Sequence, residues 1–236
     1  MKIQIFKILV TLAVTIFLVI SMLFSIETSK SDEHQFENES QALPYPEIDT
    51  GQRGKLGIDK NINESSVDMY LNRGDSVYYD VRMLIDPANF ERIGGDSYLS
   101  GFVDGFEVVS YPYLAPVSGL PKSVGEGYKG PTLFKIDDTG KYVPNYEESY
   151  YILETLFPKD KYIFLMCGAG GYAGSTKNLL VSLGWDENKI YNVGGYWNYN
   201  GQNNINVLTI HDDKYTYDFW KIPYHEIDFE LLHEIK

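Results

Sequence analysis

The sequence predicts an α/β fold, an open parallel sheet with helices on both faces, which gives three layers. Three segments rich in apolar and aromatic residues have the pattern of buried strands, at 76–82, 162–166 and 189–193. A helical pattern over residues 172–183 separates the last two strands, and Gly184 marks its end. Strand, helix and strand in this order are typical of parallel sheets whose strands are buried on both faces.

Turn and capping signals predict the elements between these strands. Asn63 or Ser65 can cap a short helix that runs to about Asn72. The segment 86–130 is long and contains many glycines, so we expect an irregular insertion that serves as a lid or as a partner surface. Residues 132–143 predict a hairpin, because the turn sequence Asp-Asp-Thr-Gly separates two apolar segments.

Two further helices are expected in the second half of the chain. The segment from Tyr146 to Phe157 places apolar residues on one helical face and is followed by Pro158. Residues 205–236 begin with a strand-like segment and end in a predicted amphipathic helix.

The N-terminus has the features of a membrane anchor. Lys2 and Lys7 precede an uncharged apolar run of 19 residues, from Ile8 to Ile26, which is close to the ~20 residues that span a bilayer as a helix. A cleaved signal peptide is the alternative, although no small-residue cleavage site precedes the end of the run. We therefore expect residues 1–26 to form an uncleaved signal-anchor, a single pass of the cell membrane with the folded domain on the extracytoplasmic face.

Composition divides the rest of the chain into three regions. Residues 27–54 are polar and charged, which predicts a flexible acidic tether. Residues 55–204 form the predicted domain, and residues 205–236 form an extension that packs on it.

Charge and residue counts exclude several functions. The chain has a formal net charge of -13, so we expect no nucleic-acid partner. Its single cysteine can form neither an intramolecular disulfide nor a multi-cysteine zinc site. The four histidines are scattered along the chain, and we predict neither a metal site nor a cofactor.

Cys167 is the candidate reactive residue. It follows the apolar strand 162–166 and opens the loop Cys-Gly-Ala-Gly-Gly-Tyr-Ala directly before a helix. Ligands of open α/β sheets bind outside the carboxyl ends of the strands, and a glycine-rich turn there presents N–H groups to an anion. The helix N-terminus adds partial positive charge, so both effects predict a lowered thiol pKa and a reactive thiolate. The alternative is a buried, inert core cysteine.

Two other interpretations of the same loop fit less well. The segment from Gly168 to Ala173 matches the dinucleotide fingerprint G-x-G-x-x-A, but the next strand lacks the acidic residue that binds the ribose. A phosphatase loop of the C-x5-R type needs an arginine to clamp the oxyanion, and the sixth residue after Cys167 is Ala173.

Over about residues 56–200 the chain resembles a single rhodanese-like domain. Asp80-Val-Arg82 matches the D-x-R at the end of an early strand, and the segment from Tyr98 to Gly105, followed by Pro112, resembles the family's Y-x-x-G-H-I-x-G-A stretch. Strand, Cys167, loop and helix match the active-site loop. The family's closing L-x-x-x-G, V-x-x-L-x-G-G and W pattern is similar to Leu180–Gly184, Ile190–Gly195 and Trp197.

This resemblance implies a sulfurtransferase. In that family the cysteine takes a sulfane sulfur from a donor such as thiosulfate and passes it, as a persulfide, to a nucleophilic acceptor. Cys167 would be the nucleophile, and Asp80 and Arg82 would be auxiliaries or, alternatively, an internal ion pair that braces the loops. The persulfide would be held by the N–H groups of the six residues after the cysteine: Gly168, Ala169, Gly170, Gly171, Tyr172 and Ala173.

The chain also departs from the family pattern. Family loops often carry Arg, Ser or Thr at the position of Tyr172, Phe102 replaces the histidine of the G-H-I stretch, and the acidic charge opposes an approaching thiosulfate. Tyr172, Tyr196 and Trp197 are expected either to line a pocket or to pack ordinarily. We expect an extracytoplasmic sulfurtransferase that uses a small sulfur-containing donor or a protein acceptor. The alternatives are a non-catalytic rhodanese-like binding module and a redox-sensing thiol protein.

Overall fold

A computed structural model of the protein describes residues 42–84, 101–117, 128–211 and 214–236, with the side chains of 208–217 not described. The chain divides into two compact units. One comprises Pro44–Leu71 and Asp75–Lys236, and the other comprises Met1–Leu43 and Asn72–Gly74. The second unit lies almost entirely outside the described residues, as do the predicted anchor and most of the predicted tether. Within the described ranges no helix has the length and hydropathy needed to cross a bilayer.

In its described residues the larger unit contains short strands, three α-helices and several 3-10 turns. The strands, in chain order, are β1 (Ser76–Asp80), β2 (Gly101–Val103), β3 (Glu107–Val108), β4 (Phe134–Ile136), β5 (Tyr142–Pro144), β6 (Tyr162–Cys167), β7 (Ile190–Gly195), β8 (Asn204–Asn206), β9 (Leu208–His211) and β10 (Lys214–Tyr217). The α-helices are α1 (Tyr111–Leu114), α2 (Ser149–Leu156) and α3 (Gly171–Ser182). The 3-10 turns are Arg53–Leu56, Val67–Tyr70, Glu187–Lys189, Tyr196–Asn198, Phe219–Lys221 and Phe229–Leu231.

Four parallel strands form the central sheet, in the order β3-β1-β6-β7. The three apolar segments singled out in the sequence are β1, β6 and β7, and α3 connects β6 to β7, so the α/β class and the parallel sheet are confirmed. Because β6 lies between β1 and β7, its carboxyl end is flanked by strands on both sides. The register between β6 and β7 shifts at Leu165 and Met166.

Helix α2 and helix α3 bury leucines on one face of this sheet. Leu153 of α2 and Leu179 and Leu180 of α3 are fully buried and belong to one cluster with Ile163 and Leu165 of β6. Burial of one such side chain contributes roughly 1.5–3 kcal/mol. This cluster fixes the position of α3 relative to the end of β6.

An aromatic row covers the other face. Tyr78, Phe164 and Tyr191 are register partners on β1, β6 and β7, and the ring centroids of each adjacent pair lie 4.9 Å apart. Phe106 meets the ring of Tyr78 edge-on. The sheet is therefore buried on both faces, as near-continuous apolar strands require.

Irregular backbone protects both edges of the sheet. On the β3 side, the N–H of Val108 donates to the carbonyl of Pro223, and the N–H of His225 donates to the carbonyl of Val108. On the β7 side, the N–H of Asp59 donates to the carbonyl of Asn192 over 2.8 Å. Such cover removes the unpaired edges that promote aggregation.

The structure differs from the sequence-based expectations at three places. The helix predicted to reach Asn72 is only the 3-10 turn Val67–Tyr70. The prediction of an amphipathic helix at the end of 205–236 is wrong. The part after β10 is extended apart from the 3-10 turns Phe219–Lys221 and Phe229–Leu231. Its end is extended because its backbone pairs with that of another segment: the N–H of Glu147 donates to the carbonyl of His233, and the N–H of Ile235 donates to that of Asn145.

The third difference concerns the predicted tether 27–54. Residues from Pro44 onward belong to the compact unit, since the buried carboxylate of Asp59 accepts the N–H of Glu47 and Ile48 pairs with Asp59. The hairpin predicted at 132–143 is confirmed as β4 and β5.

Candidate active site

The candidate site lies at the carboxyl end of the sheet, where β6 ends at Cys167. Cys167 is paired with Gly195 of β7, and α3 begins four residues later at Gly171. The turn between them ends in Gly170, which has φ +92° and ψ -9°, a left-handed conformation that glycine adopts without strain. The chain therefore reverses tightly around the cysteine side chain.

Main-chain N–H groups converge on the thiol. The N–H of Gly170 donates to Cys167 Sγ over 3.0 Å, and the N–H groups of Ala169 and Ala173 act on the sulfur in the same direction, favouring the thiolate. Three of the six predicted loop residues thus direct their amides at the sulfur. A concave set of amides of this kind stabilises an anion.

The predicted lowering of the Cys167 pKa is wrong. The residue is 3% exposed, and burial raises the pKa of the thiol above its ordinary value, while the amides of Ala173, Ala169 and Gly170 lower it and the charge of Asp80 raises it. Loss of hydration destabilises the thiolate more than the three amides stabilise it. The amide cradle predicted from the sequence exists, but it is closed to water.

The other three loop residues have different roles. The carbonyl of Gly168 accepts the N–H of Trp197 over 3.1 Å, which ties the loop to the segment that follows β7. Gly171 lines a cavity described below. Tyr172 points into the core, 4% exposed, with its ring centroid 5.5 Å from that of Tyr111.

A close approach between the loop and β7 requires glycine at position 195. A Cβ atom on Gly195 would lie 2.1 Å from the carbonyl oxygen of Gly168, which is main chain and cannot move aside. The end of β7 therefore packs directly against the loop that follows Cys167.

Asn192 of β7 is a site residue that the sequence reasoning missed. Its Nδ2 donates to the carbonyl oxygens of Gly170 and Leu56, each over 2.9 Å, and its Oδ1 accepts the N–H of Gly194 over 3.0 Å. The side chain is 1% exposed. The signal was present in the sequence, because a lone amide interrupts an otherwise apolar strand, and a buried amide needs specific partners.

Asp80 and Arg82 form the internal ion pair that was one of the two expectations for them. Both side chains are 0% exposed, and Arg82 Nε lies 3.0 and 2.9 Å from the two Asp80 oxygens. The guanidinium also donates to the carbonyl of Gly101 over 2.8 Å and lies 4.4 Å from the ring centroid of Tyr196. The pair therefore ties the end of β1 to β2 and to the residue after β7.

The three aromatic residues near the loop do not share one environment. Tyr172 is in the core, Tyr196 covers the guanidinium of Arg82, and Trp197 is 51% exposed. Ordinary packing accounts for the first two.

A separate cavity of about 640 Å³ lies beside α3. The segment 54–57 and the helix residues Gly171, Gly174 and Lys177 contribute to its wall. The amine of Lys177 donates to the carbonyl of Ile190 over 2.7 Å, and burial lowers its pKa, an effect that the charge of Asp59 partly offsets. Within the described ranges, no cluster of three or more His, Cys, Asp or Glu side chains is arranged to hold a metal ion.

Comparison of the chain with models of protein families, with curated proteins and with solved structures finds no match.

Proposed function

We propose that this protein is a sulfurtransferase of the rhodanese type, which carries a sulfane sulfur as a persulfide on Cys167. The observation that carries the proposal is the sulfur atom at the end of a central parallel strand, with the N–H of Gly170 donating to it and the amides of Ala169 and Ala173 favouring its anion. The proposal includes a three-layer, rhodanese-like arrangement of the α/β domain. It also places the domain on the extracytoplasmic face of the cell membrane, behind the predicted anchor.

The chemistry requires only the thiolate and the cradle. The Cys167 thiol gives its proton to hydroxide or another base from the solvent, and the thiolate attacks the outer sulfur of a donor R–S–S⁻ or of thiosulfate, forming a new S–S bond as the donor's own S–S bond breaks and R–S⁻ or sulfite leaves. A nucleophilic acceptor then attacks the terminal sulfur of the persulfide, takes it, and regenerates the thiolate. Amides directed at the sulfur stabilise both anions without reorganising.

Burial of the thiol sets the expected pH dependence. A group whose pKa is raised is protonated over more of the pH range, so little thiolate exists near neutrality and the loading rate should climb as pH rises toward and past the ordinary value of 9.0. The net charge of -13 also disfavours an approaching dianion such as thiosulfate. A less charged polysulfide or a protein-bound persulfide is therefore the better donor.

The test is sulfur loading of the full-length chain. The protein is incubated with thiosulfate or with polysulfide, desalted and weighed intact, beside Cys167→Ser as the matched control. We expect a gain of one sulfur atom on the wild type, faster with polysulfide and faster at alkaline pH, and none on the variant.

The burial of Cys167 also favours a second candidate, a rhodanese-like module that binds a partner without catalysis. A thiol that is 3% exposed, with a raised pKa, is poorly placed to meet a soluble donor. Absence of sulfur gain with both donors across the pH range would support the binding module over the enzyme.

A further inference from the structure

We propose that Asn192 is the positioning residue that fixes the amide cradle of Cys167 to strand β7. The proposal rests on the proposed function, because it assigns Asn192 a part in holding the sulfur anion.

The hydrogen bonds of Asn192 join three pieces of backbone that are far apart in the sequence or belong to different elements. Nδ2 donates to Gly170 at the start of α3 and to Leu56 in the segment that lines the cavity, and Oδ1 accepts the N–H of Gly194 near the end of β7. Both amide protons and the amide oxygen are in use. Loss of the side chain would leave two carbonyl groups and one N–H without this partner inside the protein.

Gly170 is the residue through which this network reaches the sulfur. Its N–H donates to Cys167 Sγ, and its carbonyl accepts from Asn192. Gly170 has φ +92°, and without a Cβ it has more accessible backbone conformations than any other residue type. Its N–H therefore stays directed at the sulfur only if the carbonyl is held.

A second hydrogen bond to the same carbonyl does not replace the one from Asn192. The N–H of Gly174 donates to Gly170 over 2.9 Å, but this bond is the first of α3 and moves with the helix. The bond from Asn192 comes from β7, so it ties the carbonyl of Gly170 directly to the sheet, whereas the bond from Gly174 does so only through the packing of α3.

The glycines around Asn192 indicate that this region is tightly packed. A Cβ on Gly174 would lie 2.5 Å from the carbonyl oxygen of Leu56 and 3.3 Å from Asn192 Nδ2. The helix, the segment 54–57 and β7 therefore approach as closely as glycine permits around the Asn192 side chain.

The experiment compares the full-length wild type with Asn192→Ala and with Ser149→Ala as the matched control. Ser149 is also fully buried, and its hydroxyl accepts the N–H of Tyr146 and donates to the carbonyl of Leu133. The control therefore loses buried hydrogen bonds in the same core without touching the cradle. Asn192→Ser, which keeps a hydroxyl donor, serves if the alanine variant does not fold.

The first readout is the pH profile of Cys167 alkylation by iodoacetamide, followed by intact mass. Loss of Asn192 should move the midpoint of the profile to higher pH and slow alkylation at pH 8 by roughly tenfold, the scale of one hydrogen bond to a charged group. Ser149→Ala should keep the wild-type midpoint. A wild-type midpoint in the Asn192 variant, or an equal displacement in the control, would overturn the inference.

The second readout, sulfur loading from polysulfide, separates this inference from the proposed function. If the wild type gains no sulfur, the sulfurtransferase proposal fails, while the alkylation profile still decides whether Asn192 positions the cradle. If the wild type gains sulfur and the Asn192 variant loads it as fast at every pH, the assignment of Asn192 is wrong and the proposed function stands.

Discussion

Replacement of Arg82 by methionine should destabilise the protein severely. The change keeps an unbranched, largely apolar side chain but removes the guanidinium that faces Asp80, where both side chains are fully buried. Asp80 would retain the N–H of residue 82, 3.0 Å away, and the carbonyl of Gly101 would lose its guanidinium donor.

The magnitude follows from the burial of the pair. Removal of one partner of a buried ion pair costs about 3–5 kcal/mol, because the remaining charge is uncompensated. Domains of this kind have a total stability of about 5–15 kcal/mol. Arg82→Met should therefore lower the free energy of unfolding by a large fraction of its value. Urea titration, monitored by tryptophan fluorescence, would measure the loss.

A double variant separates the charge from the packing. Asp80→Asn combined with Arg82→Met leaves neither of these two positions charged, so it should be more stable than Arg82→Met alone, and once folded it should load sulfur on Cys167. A single variant within about 1 kcal/mol of wild type, well below the expected cost, or a double variant no better than the single one, would refute the assignment of this pair as a brace.

Three further changes have defined outcomes. Gly170→Ala places an L side chain at φ +92° and should cost about 1–2 kcal/mol in urea unfolding and slow sulfur loading; an unchanged loading rate would contradict the role of this turn. Trp185→Phe removes the indole N–H that donates to the buried carbonyl of Phe157 over 2.7 Å, and should cost about 1–3 kcal/mol, whereas a neutral effect would mean that water replaces the donor. Glu148 raises the pKa of His233 above 6.5, and His233 lowers that of Glu148 below 4.5, so their pairing should protect the C-terminal segment most between these values. That protection should fade as pH rises through the raised His233 pKa or falls through the lowered Glu148 pKa, which amide hydrogen exchange of the C-terminal segment would measure. Protection that does not depend on pH, or that is the same in wild type and in His233→Gln, would contradict this expectation.

The sequence predicted those elements that depend on local pattern. β6 is a continuous apolar segment and β7 is apolar apart from Asn192, and the strand–Cys167–loop–helix order placed the thiol at the end of a central strand, as the structure has it. The turn between β4 and β5 could also be predicted from the local sequence, because Asp137 accepts three hydrogen bonds from N–H and O–H groups within a few residues of it.

What the sequence did not predict depends on contacts between distant segments. Whether the thiol is exposed to solvent depends on the core cluster that it shares with residues such as Tyr111 and Ala115, which lie far from it in the chain. Because that cluster buries the thiol, its pKa is raised and not lowered as the sequence had predicted. The C-terminal segment is extended because its partners lie near residue 146, and no local pattern encodes that pairing. The role of Asn192 likewise arises only when β7, α3 and the segment near Leu56 come together.

The amide proton of Gly170 offers the most direct test of the sulfur–amide contact on which the account rests. Its resonance should be followed in the full-length chain by NMR as pH is raised through ionisation of Cys167, with Cys167→Ser as the reference. We predict a downfield movement that tracks the thiol, with a midpoint above the ordinary value of 9.0, and no such movement in the variant. A Gly170 resonance that stays fixed while the thiol ionises would show that the amide does not hold the sulfur's charge.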